Sequence, residues 1–310
     1  MSDLAPLPPP ARPGRAALWM MGAITGFVSM AIAGRAVAPW HDTFEIMTWR
    51  SLVGIVTVLF GAWLTGHTRE IRARHLGLHT LRNVAHFTGQ NLWFAALPLI
   101  PLSQLFALEF TYPIIVALAA PVFLDERLSA RRLIAAAIGF AGVLIVVEPW
   151  QAGGLGFGTL LALGCAFGFA GSALTTKRLT RTAPITEILF WLTVMQCGFG
   201  LVLGLADGAL ALPNMHSAPW LVLIGLAGLG AHFCLTRALS LAPASVVAPV
   251  DFLRLPLIAV VGALFYAEPF AAPVLVGGAI ILLANWINLR KTAPPVAIAP
   301  QAAVQHDPET

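Results

Sequence analysis

The stretch LEFTYPIIVAL at residues 108–118 places a carboxylate, a tyrosine and a proline inside an apolar run, and VDFLRLPLIAV at residues 250–260 places a carboxylate, an arginine and a proline in another. The two stretches lie 142 residues apart, and at that offset Glu109 falls on Asp251 and Tyr112 on Arg254. The same shift carries the rest of the chain onto itself without a gap. GAITGF (22–27) lands on GCAFGF (164–169), ALPLIPLS (96–103) on ALSLAPAS (238–245), and Glu126 on Glu268. The chain is therefore a duplication, and both copies keep charges in apolar surroundings.

Composition says what those surroundings are. About a quarter of a soluble domain is charged, whereas this chain is 10% charged and 58% hydrophobic, with a mean hydropathy of +0.82. It reads as an integral membrane protein. The apolar runs are continuous, roughly 18 to 24 residues long, and lack the alternation of a membrane β-barrel. Lipid offers no partner to backbone groups, so the spans are helices. The net charge of +4 does not point to nucleic acid, because the basic residues sit in short clusters between apolar runs, as topology signals do. Cys165, Cys197 and Cys234 are far apart within apolar runs and suggest neither disulfides nor a metal site. No cofactor is expected, and the expected partners are the lipid bilayer and a small-molecule substrate.

Ten spans are expected: Ala16–Ala33, Thr43–Thr65, Arg82–Leu97, Leu102–Leu124 and Arg131–Val147, then Gly156–Thr176, Glu187–Leu205, Ala218–Leu239, Ala244–Tyr266 and Ala271–Leu289. Fifteen of the eighteen Lys and Arg fall at one set of span ends, Arg35 alone at the other, and Arg50 and Arg254 within spans. The basic side marks the cytoplasm, which predicts a multi-pass protein of a bacterial-type inner membrane with both termini cytoplasmic. The expected organisation is a Pro-rich tail (1–15), a first repeat (16–148), a second repeat (156–290) and a C-terminal tail (291–310). The first span matches an internal one, so it is expected to be retained and not cleaved as a signal peptide. Five spans per repeat make consecutive repeats enter the bilayer from opposite sides, the inverted arrangement of many secondary transporters.

Taken together, the two five-helix repeats, the GxxxGF openings, the Glu126–Leu128 stretch ERL and the PVDFLRLP of residues 249–256 resemble the drug/metabolite transporter superfamily, EamA branch. The resemblance covers roughly residues 16–290. It implies a central cavity lined by the first four helices of each repeat, the fifth and tenth helices being peripheral. It also implies a substrate among amino acids, nucleosides, sugars, cofactors and small organic cations.

A charge at the bilayer centre costs roughly 2.5 to 3.5 kcal/mol on insertion scales. Glu109, Asp251 and Arg254 therefore need a wet cavity or each other. Glu109 shares a helix face with Tyr112, and Asp251 with Arg254. Two readings stand side by side: a polar floor for a substrate, with acids for an amino or cationic group and Arg254 for a carboxylate, or a structural ion pair. His86, Gln90 and Trp93 share a face of the third span, and His232 belongs to its repeat mate. These eight residues are the candidate substrate-binding set. His86 and His232 are also candidates for proton coupling, against the plainer reading that each bonds a backbone carbonyl. Arg50 is expected to pair with Glu45 or Asp42. Pro113 and Pro256 are expected to kink their helices.

The chain carries no HExxH and no GxSxG, and His41–Asp42 has no evident third partner, so no catalytic residue and no enzyme activity is expected. The expected function is a secondary transporter, monomeric or homodimeric. It would move an amino acid or similar zwitterion, outward, by alternating access. The alternative is an importer of a cofactor-like or cationic metabolite, such as a sulfonium nucleoside or a vitamin.

Overall fold

The residues that interrupt the apolar runs also interrupt the helices. The computed structural model describes residues 12–124, 130–148, 150, 155–180, 182–206, 210–241 and 250–289, without the side chains of 124, 239, 240 and 289. Most of the Pro-rich tail, the ERL stretch, residues 244–249 of the ninth expected span and the C-terminal tail lie outside them.

The described residues form α-helices and one short 3-10 turn. In the first repeat they are α1 (Pro13–Val37), α2 (Thr43–Leu64), α3 (Leu76–Ala96), α4 (Leu102–Glu109), α5 (Tyr112–Leu124) and α6 (Ala130–Val147). In the second they are α7 (Phe157–Leu179), α8 (Ile185–Gly204), α9 (Ala218–Leu241), α10 (Arg254–Tyr266) and α11 (Ala272–Leu289). Among the described residues, seven helical stretches are long and apolar enough to cross a membrane: Pro13–Val37, Thr43–Leu64, Leu102–Phe123, Ala130–Val147, Phe157–Leu179, Ile185–Gly204 and Ala218–Ala238. Arg254–Tyr266 and Ala272–Asn288 are shorter apolar helices.

Local chemistry sets the helix ends. Pro13 opens α1, where its missing N–H costs nothing. Asp42 and Glu45 form a capping box on α2: the Glu45 N–H donates to Asp42 Oδ1 at 2.8 Å and the Asp42 N–H to Glu45 Oε2 at 3.2 Å. The third helix starts at Leu76, six residues before the expected Arg82. Its polar residues turn inward: Asn83 Nδ2 donates to the Trp191 carbonyl at 3.1 Å, and His79 Nε2 lies 3.4 Å from Glu187 Oε1. A polar helix that looked marginal by hydropathy is held by partners on α7 and α8.

The fourth expected span is broken. α4 stops at Glu109, Phe110 and Thr111 form a turn, and α5 begins at Tyr112. Pro113 has no N–H to return to the Glu109 carbonyl, and the backbone tightens: the Ile114 N–H donates to the Thr111 carbonyl at 3.0 Å and Thr111 Oγ1 to the Leu108 carbonyl at 2.7 Å. The Phe110 carbonyl accepts instead from Asn285 Nδ2 of α11 at 2.7 Å. The second repeat breaks at the matching place, where Asp251 is the last helical residue, Phe252 and Leu253 turn, and α10 begins at Arg254. Each broken helix thus presents an acid at the end of one piece, Glu109 or Asp251, and a polar residue, Tyr112 or Arg254, at the start of the next.

The most extensive helix contacts are α1 with α9 and α3 with α7. They use one device at positions 142 residues apart. A Cβ on Gly26 would come within 2.8 Å of the Ala227 carbonyl oxygen and 2.9 Å of Ala231 Cβ. A Cβ on Gly168 would come within 2.9 Å of the Ala85 carbonyl oxygen and 2.5 Å of Gly89 Cα. Ala85 and Ala227 are repeat mates, as are Gly89 and Ala231, so the opening helix of each repeat packs on the third helix of the other. Small residues permit this approach where both surfaces are apolar.

Candidate substrate cavity

A cavity of about 410 Å³ lies between α1, α3, the broken α4–α5 pair, α7, the start of α8, α9 and the Asp251–Arg254 break. No lining residue comes from α6 or α11. All eight residues singled out in the sequence line it: His86, Gln90, Trp93, Glu109, Tyr112, His232, Asp251 and Arg254.

The floor is an ion cluster. Arg254 Nη2 reaches Glu109 Oε1 at 3.2 Å and Asp251 Oδ2 at 3.5 Å, and the Trp93 indole N–H donates to Glu109 Oε2 at 2.9 Å. The guanidinium lies 4.7 Å from the ring centre of Phe27, 5.2 Å from that of Phe106 and 4.7 Å from that of Phe110. Both sequence readings of these charges therefore hold as geometry: they pair with one another and they face the cavity. The pairing reaches across the repeats as well as along one helix, since Glu109 belongs to the first and Arg254 to the second. Two carboxylates share one cation, so the pairing leaves an acceptor over. Asp251 Oδ1 and Arg254 Nε find no hydrogen-bond partner among the described residues, and neither do Gln90 Nε2 and His86 Nε2. Buried polar atoms are almost always satisfied, and four unsatisfied ones on residues that line one cavity leave hydrogen-bonding capacity for a polar ligand.

The walls are aromatic. His86 sits 5.7 Å from Phe169 and 5.8 Å from His232, and His232 sits 5.4 Å from Phe27, ring centre to ring centre. Ser172 Oγ lies 3.4 Å from His86 Nδ1. Trp93 is packed edge-on against Phe94 and Phe106, 2% exposed. Its indole N–H is already committed to Glu109.

Sequence reasoning missed the rest of the lining, notably Arg82 and Lys177. Arg82 opens the third span expected from the sequence but stands six residues inside α3. The spacing could have found it, since Arg82, His86 and Gln90 continue one face at steps of four. Its Nε donates to Thr176 Oγ1 at 3.2 Å and its Nη1 to Asn83 Oδ1 at 2.8 Å. Arg50 is a second correction. It is buried, but the acids expected to pair with it are used at the end of α2.

The cavity reaches the surface at one end only among its lining residues: Lys177, Thr180 and Ile185 are exposed. α3 runs from Arg82 near this mouth to Ala96 at the other end, which is sealed. There Arg35 forms an ion pair with Glu268 and donates to the Leu97 and Ile100 carbonyls, the latter at 2.6 Å. The Leu102 N–H donates to Glu268 Oε2 at 2.8 Å, and the Arg35 guanidinium lies 4.8 Å from the centre of the Tyr266 ring. This lock ties α1 to the α3–α4 and α10–α11 connections. At the same end His41 does have a third partner: Nδ1 lies 3.1 Å from Glu45 Oε2 and Nε2 lies 2.9 Å from Ser217 Oγ. The order Ser–His–Glu is that of a nucleophile and its base. Ser217 is, however, 0% exposed and already accepts the Asn214 N–H at 3.0 Å. A substrate carbonyl has no approach, and the array is a clasp between the starts of α2 and α9.

The profile of the EamA-like transporter family matches residues 14–148 and 156–290, nearly the whole chain. The chain belongs to the EamA-like transporter family. It is a multi-pass membrane transporter of a small metabolite and not an enzyme, as its relatives' names bear out. A riboflavin transporter of Brucella anthropi is 31% identical over 250 residues, covering 79% of this chain and 87% of the relative. An S-adenosylmethionine uptake transporter of Rickettsia bellii is 24% identical over 206 residues, covering 66% of this chain and 69% of the relative. A solved protein structure superposes with a TM-score of 0.62 at 18% identity over 88% of this chain and 96% of its own, which is a likeness of fold.

Proposed function

We propose that this EamA-like transporter imports a flavin-like vitamin, a flat uncharged ring system with a polyol tail, across the inner membrane. The unsatisfied polar atoms at the aromatic cavity carry this reading. A flavin ring presents an imide edge with a carbonyl, an N–H and a second carbonyl in a row. Asp251 Oδ1 supplies an acceptor for the N–H, and Arg254 Nε and Gln90 Nε2 supply donors for the carbonyls. Phe27, Phe169 and Trp93 supply flat apolar surface, and Thr176, Thr180 and Ser172 hydroxyls for the polyol. A volume of about 410 Å³ falls within the range of ~300–1,000 Å³ usual for small-molecule sites.

Charge favours the vitamin over the sulfonium nucleoside that the other relatives suggest. The cavity lining holds three cationic side chains, Arg82, Lys177 and Arg254, against two carboxylates, Glu109 and Asp251. A substrate with sulfonium, ammonium and carboxylate groups carries a net positive charge and meets an excess of the same sign. The relatives' names also favour this importer over the amino-acid exporter expected from the mixed Asp251–Arg254 pair.

Alternating access between inverted repeats supplies the mechanism. In support, the repeats exchange partners in the α1–α9 and α3–α7 contacts and break their fourth helices at matching residues. With the basic ends cytoplasmic, the mouth at Lys177 opens inward and the Arg35–Glu268 lock closes the outer side. The test is uptake of labelled riboflavin by a bacterium that neither makes nor imports it. Expression should restore uptake and growth on micromolar riboflavin, with no competition from amino acids. Uptake of S-adenosylmethionine without riboflavin would overturn the assignment.

A further inference from the structure

Arg50 poses a problem that the substrate cavity does not solve. It stands in the body of α2, 8% exposed, and among the described residues no carboxylate pairs with it. Glu45 is held by His41 and by the Asp42 and Ala211 N–H groups, and Asp42 caps α2. What Arg50 touches is soft and weakly polar: Met47 Sδ at 3.4 Å from Nη1, and the Phe94 ring at 5.8 Å. Its Nη2 lies beside Gly228 of α9, where a Cβ would stand 3.1 Å away. A buried cation is expensive without a counter-charge, and the helix contact has been left bare to admit it.

Beside the guanidinium is a small void of about 20 Å³ between α2, α8 and α9, lined by Arg50, Ser51, Thr193, Gln196 and His232 among others, with no acid in its wall. Gln196 is 2% exposed, and its Nε2 has no hydrogen-bond partner. The void exceeds the roughly 10–15 Å³ that holds one water-sized particle and is far below what a phosphate or a metabolite needs. No carboxylate faces it, and a full positive charge stands beside it.

We propose that Arg50 and Gln196 hold one small monatomic anion, chloride in the cell, in a site separate from the substrate cavity and sharing only the His232 wall with it. The anion supplies the counter-charge that the acids at the end of α2 do not.

The experiment is thermal unfolding of the full-length protein in detergent without substrate, with potassium gluconate exchanged for potassium chloride or bromide at constant ionic strength. Both halides should raise the midpoint saturably by about 2 °C or more, and sulfate should not. Arg50→Gln should abolish the shift, and Gln196→Leu should raise the half-saturating chloride concentration at least about threefold. Equal midpoints in chloride and gluconate overturn the proposal, as does a full shift in Arg50→Gln. If Arg50→Gln yields no folded protein, an unchanged half-saturation in Gln196→Leu overturns it. Because no vitamin is present, failure here leaves the flavin assignment standing, and failure of that assignment leaves this one.

Discussion

Asp251→Asn should separate binding from folding. In the parent protein Asp251 gives one oxygen to Arg254 at 3.5 Å and keeps the other buried without a partner beside the cavity. Asparagine has the same shape, and Arg254 is a donor, so the amide oxygen stays with Arg254 and the NH2 group faces the cavity. An acceptor becomes a donor where the ligand's N–H is to be received. Loss of a hydrogen bond to a charged group is worth about 1.5–3 kcal/mol, or about 10- to 150-fold in affinity. The fold should notice much less. Arg254 keeps Glu109 at 3.2 Å, and removing one of two carboxylates from a low-dielectric site recovers part of what burying it cost. The change in stability should stay within about 1 kcal/mol. Quenching of flavin fluorescence on binding gives the affinity, uptake by cells the transport, and the unfolding midpoint the stability. Affinity and uptake within about twofold of the parent would refute the assignment of Asp251 to the ligand.

Arg254→Ala should behave oppositely, since it strands Glu109 and Asp251 and empties the space between three aromatic rings. A loss of about 3–5 kcal/mol follows from breaking a buried pair, read as a fall in folded yield and midpoint. Gly168→Leu should abolish assembly, with a cost of about 3 kcal/mol or more, because its Cβ meets Gly89 backbone at 2.5 Å. Gly198→Leu, on a face with nothing within 4 Å, is the neutral control for the same size-exclusion measurement. Glu268→Gln should loosen the sealed end, so that a cysteine introduced at Ser103 reacts several-fold faster with a membrane-impermeant maleimide from outside. Unchanged labelling would remove the lock from the transport cycle.

Much of this was legible in sequence because duplication writes each feature twice. The offset of 142 residues paired Glu109 with Asp251 and Tyr112 with Arg254 before any coordinates, and the steps of three and four put His86, Gln90 and Trp93 on one face. What escaped was decided by partners across the fold. Hydropathy undervalued α3 because His79, Arg82 and Asn83 find partners on α7 and α8. Arg50 was given to the nearest acids in sequence, yet those acids are used at the helix end. The break at Phe110–Thr111 needs Asn285, 175 residues away, to donate to the Phe110 carbonyl that the turn leaves over. Proline signalled a kink, but only the distant donor explains a full interruption.

The exchanged packing of α1 on α9 and α7 on α3 bears on how the protein is made. While the first repeat is leaving the ribosome, the small-residue faces of α1 and α3 have no partner, for theirs have yet to be synthesised. Neither half is a finished building block, so the polar face of α3 must wait in the bilayer or in the care of the insertion machinery until α7 arrives. The same arrangement lets two separately expressed halves find each other, because each carries what the other lacks. It also ties the two copies together in evolution. A larger residue at Gly168 meets the backbone of Gly89 in the opposite repeat, where no smaller side chain can make room, so the halves can diverge in what they bind but not in how they interlock.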